Sequence, residues 1–96
     1  MRMAFAGLLL SDCPAEKAFW TTDGVTIRSL RGLCTYLEGV KPEVFRYHVN
    51  KDHNKNDFAD WIRDVFEDQE LAARLEGVLD KEKYVRIIRK SLKQFE

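Results

Sequence analysis

Apolar residues recur along this chain with two different periods, and the change of period marks where the backbone changes conformation. From Leu30 onward the spacing is helical. Leu30, Leu33, Cys34 and Leu37 fall within an arc of about 100°, a single stripe on a helical wheel. Val44, Phe45, His48 and Val49 share a second face, and Phe58, Trp61, Ile62, Val65 and Phe66 recur at i, i+3, i+4, i+7 and i+8. Leu71, Ala72, Leu75, Val78 and Leu79 repeat that spacing, and Val85, Ile88, Leu92 and Phe95 form a last stripe. Upstream the period is two. Phe19-Trp20-Thr21-Thr22 and Val25-Thr26-Ile27-Arg28 flank Asp23-Gly24, a turn dipeptide in which Gly accepts a positive φ, so a small β-hairpin is predicted there.

The polar residues between the stripes read as helix punctuation. Ser29 precedes the first helix as an N-cap whose hydroxyl accepts from a free amide of the first turn, and Gly39 ends it. Pro42 opens the second helix, where its missing N–H costs nothing. Residues 50–55 are a polar loop; Asn56 or Asp57 caps the third helix, Asp68 the fourth and Asp80 the fifth. The predicted fold is mainly α: a compact bundle of about five short helices with a small N-terminal β-hairpin, forming one domain over residues 15–96. Residues 1–14 read as an N-terminal leader whose order the pattern leaves open. Their apolar stretch is short, only Arg2 precedes it, and Asp12 stands where an export signal needs a small residue before Cys13. No stretch approaches the roughly 20 apolar residues of a membrane span.

Charge sharpens this picture. The chain is neutral overall, with 16 basic and 16 acidic residues. Residues 57–80 nevertheless carry two basic and eight acidic side chains, and residues 81–96 six basic and two acidic. The plain expectation is that two helices pair by opposite charge within the molecule; the sharper one is that a pole meets a partner. The two cysteines, Cys13 and Cys34, make no CxxC motif and no dense framework, which fits a reducing, cytoplasmic compartment.

Residues capable of chemistry cluster between Val44 and Val65. His48 lies within an apolar face, so a structural role is expected, its ring bonded to a backbone carbonyl or a helix cap. Asp57, Asp60 and Asp64 share a ridge near His53, but carboxylates on consecutive turns of one helix do not encircle an ion, and no metal or other cofactor is expected. Cys34 reads as an inert core thiol. Nucleophile, phosphate-loop and zinc motifs are missing from the sequence, so no catalytic residues and no enzyme activity are expected. Structural or ligand candidates are therefore His48, Asn56, Asp57, Trp61 and Asp64.

Lys83, Arg86, Lys90 and Lys93 form a basic ridge on the last helix with Arg89 beside it, suited to phosphates; the neutral net charge and the acidic segment weigh against nucleic acid. Tyr36 and Tyr47 fall off their apolar stripes, where exposed aromatics favour contacts between proteins. The leading expectation is a protein–protein interaction or assembly module, whose partner includes a second copy of itself. A nucleic-acid accessory role through the basic helix, and a small ligand or metal site around His48 and Asp57, are the alternatives.

The segment from Phe19 to about Leu75 resembles a small prokaryotic family, domain of unknown function 5752. The resemblance rests on Phe19, Asp23-Gly24, Ile27-x-Ser29-Leu30 and Phe45-x-x-His48-Val49-Asn50. It continues through Asn56-Asp57-Phe58-x-x-Trp61-Ile62-x-Asp64-Val65 and Asp68-x-x-Leu71-Ala72. It implies a fold unit found alone or attached to larger proteins, and it supplies no mechanism. Glu67 stands where the family commonly has Gly, and His53-Asn54-Lys55 lengthen the loop before Asn56.

Overall fold

A computed structural model describes residues 12–94 of the chain. Five α-helices occupy Leu30–Gly39 (α1), Pro42–His48 (α2), Asp57–Val65 (α3), Gln69–Leu75 (α4) and Lys81–Lys93 (α5), as the helical periodicity predicts. Each begins where a local group stops the helix from starting earlier. Ser29, Asn56, Asp68 and Asp80 accept from the amides of Gly32, Ala59, Leu71 and Lys83 respectively, so four first turns are closed by a side chain. Between Asn56 and Asp57, the capping residue is Asn56. Pro42 is the first residue of α2.

The hairpin pairs Phe19–Trp20 (β1) with Thr26–Ile27 (β2), Phe19 opposite Ile27 and Trp20 opposite Thr26. Its turn is one residue longer than a bare Asp-Gly hairpin. The Gly24 amide bonds Thr21 O at 3.1 Å, which makes Thr22 and Asp23 the central pair and leaves Gly24 at φ +89° as the residue that returns the chain to the strand. Pattern reading missed a second two-stranded ribbon inside the polar loop: Val49–Asn50 (β3) pairs with Lys55–Asn56 (β4). Asn50 builds it. Its amide nitrogen donates to Arg46 O, closing α2, while its Oδ1 accepts from the His53 amide at 2.8 Å and turns the chain. Four residues of that loop are exposed and none alternates, so periodicity carried no strand signal there.

The predicted stripes meet in one core. Leu30, Leu33, Leu37, Phe58, Ile62, Leu75 and Ile88 lose all contact with solvent. Tyr84, absent from the predicted α5 stripe, joins them fully buried. Leu79, assigned to the α4 stripe, falls beyond the helix and is half exposed. Phe95 lies outside the described residues, as do residues 1–11. Of the segment read as a leader, Cys13 is buried, and its backbone pairs with Arg28. The Cys13 amide donates to Arg28 O, and the Arg28 guanidinium returns two bonds to Cys13 O, at 2.9 and 2.7 Å. No helix among the described residues is long and apolar enough to cross a membrane.

Candidate functional site

The aromatic, imidazole and aspartate residues of the middle segment converge, and they converge inward. Phe58 sits at the centre of the cluster. Phe19 packs against it with ring centroids 4.9 Å apart, His48 at 5.2 Å and Tyr36 at 6.5 Å; Phe19 also meets Trp61 edge-on at 5.8 Å. The β1 strand thus lays Phe19 into a ring pocket made by α2 and α3, while Trp20, its neighbour on the opposite face, points away.

His48, the last residue of α2, is 4% exposed and uses both ring nitrogens. Nε2 lies 3.1 Å from the Thr22 amide, which can only donate, so Nε2 carries the lone pair. The proton then resides on Nδ1 and is donated to Asp57 Oδ2 at 2.9 Å. Asp57 also holds Lys55 Nζ at 2.9 Å, and that ammonium lies 4.4 Å above the Tyr47 ring. A carboxylate–imidazole pair supplies two of the three members of a catalytic triad. Here the position a nucleophile would occupy is filled by a backbone N–H, and the pair fastens the β1–β2 turn to α2 and α3.

Around the turn a second set of bonds reinforces the first. Buried Thr21 donates its hydroxyl to Asp23 Oδ1 at 2.6 Å and accepts from the Val25 amide at 2.8 Å. Tyr36 of α1 donates to the same Asp23 oxygen at 2.7 Å. Those two hydroxyls hold the Asp23 carboxyl below the usual carboxylate range. Burial, followed by the bond to Asp23, pushes the Tyr36 phenol up to about 12. Tyr36 therefore belongs to this fastening and is half-buried, against the expectation of an exposed contact residue; Tyr47 is exposed as expected. The Thr21-x-Asp23 spacing was the available signal for this network, since Thr and Asp side chains commonly bond the backbone of turns.

Asn56 forms a separate node. Its Nδ2 donates to Leu75 O at the end of α4 (2.9 Å), and its Oδ1 accepts from the Ala59 amide of α3 and from the Tyr84 hydroxyl of α5. One side chain therefore links three helices. Asn56 borders a shallow groove of about 520 Å³ with Asp60, Glu76 and Leu79, yet its polar atoms are engaged within the protein. Trp61 donates its indole N–H to Lys17 O at 2.8 Å, anchoring the short 3-10 turn Ala15–Lys17 that leads into β1. No buried side-chain nitrogen or oxygen among the described residues lacks a partner.

The remaining candidates stay apart from these nodes. Asp64 is exposed, and Asp60 is tied to Arg63 at 3.0 Å. Among the described residues no three His, Cys, Asp or Glu side chains come together in a metal-binding group. Both thiols are buried, and burial raises them above the ordinary cysteine range. Lys83, Arg86, Lys90 and Lys93 are exposed along the outer side of α5, whereas Arg89 is ion-paired with Glu38 of α1. Among the described residues, the expected ion pairing of the acidic segment with the basic one does not form. Arg63 takes Asp60 and Glu76, and Arg74 takes Glu70, so the acidic segment's ion pairs among the described residues are with its own arginines or with Lys55 and His48. Lys81 of α5 instead donates to Val40 O at 2.9 Å.

Comparison with curated proteins and with solved structures gives no match. A family model described as a family of unknown function (DUF5752) matches residues 21–94, which span the hairpin turn, both polar nodes and all five helices. The chain belongs to that family.

Proposed function

We propose that this domain is a protein-interaction module whose contact surface is centred on Trp20. The observation that carries the reading is that Trp20 is 71% exposed on the outer face of a hairpin whose inner face is pinned at several points. A free, mobile tryptophan loses rotamer and backbone entropy when a partner immobilises it; a strand whose following turn is bonded to His48 and whose Phe19 packs into the core has lost most of that freedom on folding. Large rigid aromatics presented in this way are the residue type enriched among binding hot spots. The engaged ring nitrogens of His48 support a structural role for the imidazole, and hence a module without catalysis. Two buried free thiols support the reading of a reducing, cytoplasmic setting.

A photo-crosslinking residue at position 20, introduced in the cell that makes the protein, tests this directly. A discrete crosslinked partner, reduced when the crosslinker is moved to exposed Gln69 on the far helix, is the expected result. Trp20→Ala should retain the wild-type circular dichroism and thermal transition while losing that partner in co-purification. Crosslinking no stronger at position 20 than at position 69, or full partner retention by Trp20→Ala, removes the proposal.

A further inference from the structure

The basic helix presents its charge with unusual regularity. Residues 83, 86, 90 and 93 follow i, i+3, i+7, i+10, an order that puts Lys83, Arg86, Lys90 and Lys93 within one narrow arc opposite the buried Tyr84, Val85, Ile88 and Leu92. At 1.5 Å per residue this ridge is about 15 Å long. None of the four makes an ion pair with another described residue. The opposite charge exists elsewhere on the same chain. At the corner between α3 and α4, Asp64 and Glu67 are exposed without an ion pair among the described residues, next to Asp60 and Glu70.

The two faces are built into one rigid body, with α3 packed on α4 and α4 on α5. Asp64 and Glu67 make no pair with the ridge among the described residues, so both faces are left available to an outside partner. We infer that the acidic α3–α4 corner of one copy docks on the α5 ridge of a second copy. Carboxylates at Asp60 and Asp64, one helical turn apart, repeat along an axis with the same step as Arg86 and Lys90. The overall charge is zero, the acidic segment being offset by the basic one together with residues 1–56, and a neutral chain with separated faces of opposite sign suits self-association better than binding to a polyanion. The contact joins unlike faces, so it is heterologous and propagates into rings or short filaments. Its small, solvent-rimmed area makes it weak, and its origin in charge makes it steeply sensitive to salt. It is independent of the Trp20 surface.

The test is sedimentation of the whole chain over a concentration series. It is run at an ionic strength of about 0.01 M, where the screening length is about 30 Å, and at about 1 M, where it is about 3 Å. Wild type should gain mass with concentration in the first condition and sediment as a monomer in the second. Two variants sharpen this: Lys83→Glu/Arg86→Glu/Lys90→Glu, and Asp64→Lys/Glu67→Lys, each checked for folding by circular dichroism. Each alone should be monomeric at low salt, and mixing them should restore a complex, because the reversed ridge now fits the reversed corner. Trp20→Ala should leave self-association unchanged. A wild type that stays monomeric at low salt overturns the inference whatever the variants do. So does association that survives charge reversal, or a ridge that binds duplex nucleic acid while the protein remains a monomer.

Discussion

Two polar nodes lie ten residues or fewer apart in sequence and do opposite kinds of work. His48 faces the hairpin and ties a turn to the helices: one ring, one carboxylate and one amide, with Tyr36 and Asp23 alongside. Asn56 faces the bundle and ties α3, α4 and α5 to one another. The first node holds the hairpin, which contributes Phe19 and Ile27 to the core from one side. The second is the crossing point of the packing itself. A buried polar residue is thus not one category of feature; its cost when removed depends on how many independently formed elements end on it.

Asn56→Ala separates the two nodes most strongly. It strips the α3 cap, leaves the Leu75 carbonyl with only the Val78 amide as donor, and leaves the fully buried Tyr84 hydroxyl without its acceptor. A lost cap and an unpaired buried hydroxyl together cost about 3 kcal/mol. Denaturant unfolding should show that loss as a shift of the whole transition, with α3, α4 and α5 amides losing exchange protection together. If only the amides of α3 lose protection, Asn56 is an ordinary cap and the contrast disappears. His48→Ala should cost about 1–3 kcal/mol, since it leaves a hole beside Phe19 and Phe58 and unpairs the Thr22 amide. Its signature is local. Amides of residues 19–27 should exchange faster while those of α3 to α5 keep most of their protection, and equal loss across the molecule would merge the two nodes into one.

The hairpin, the helices and four side-chain caps were legible in sequence because each depends on a few consecutive residues: the Asp23-Gly24 turn, the stripes of Phe58 to Phe66, the cap at Ser29. His48 was legible as a buried, hydrogen-bonded histidine from its place among apolar neighbours. Its partners were not. Asp57 is nine residues away and Thr22 twenty-six, and no local pattern encodes a bond that exists only once the hairpin has docked. The same reason hid Tyr84. It was left out of the α5 stripe, yet it is fully buried, its hydroxyl donating to Asn56, twenty-eight residues earlier. The ridge of Asp57, Asp60 and Asp64 lies on one helix, but Lys55 and His48 take Asp57, Arg63 takes Asp60, and Asp64 stays exposed.

Glu67 offers a smaller test on the Asn56 side. It joins α3 to α4 with φ +56°, in the left-handed region where a Cβ crowds the following carbonyl, at the position where the resembled family commonly has Gly. Glu67→Gly should stabilise the protein by about 0.5–1 kcal/mol, the relief of that crowding less the greater freedom of Gly in the unfolded chain. Chemical denaturation would register it as a higher midpoint with an unchanged slope. An unchanged or lower midpoint would mean that the α3–α4 joint, and with it the placing of Leu75 O against Asn56, does not depend on this backbone conformation.

Acid distinguishes the nodes without any mutation at either. The Asn56 node consists of an amide side chain, a phenol and two backbone groups, none of which changes charge as pH falls. The hairpin side contains Asp23, whose carboxyl is held below its ordinary value of 3.8 by the Thr21 and Tyr36 hydroxyls. A carboxyl depressed on folding contributes stability that is present above 3.8 and drains away as pH falls through the lower, folded value. Tyr36 has the converse sign: its phenol, raised from 10.0 to about 12, contributes below 10.0 and stops contributing as pH climbs through about 12. Amide exchange at Thr21 and Val25 should therefore quicken on the acid side before that of α3 and α5, and Asp23→Asn should flatten this early acid response. Because Asp23 is on the surface, the effect is the smallest of those considered. Its location is what matters: acid loosening that begins at the Asn56 helices, with the Thr21 amide still protected, would show that the hairpin is the sturdier of the two regions and reverse the comparison.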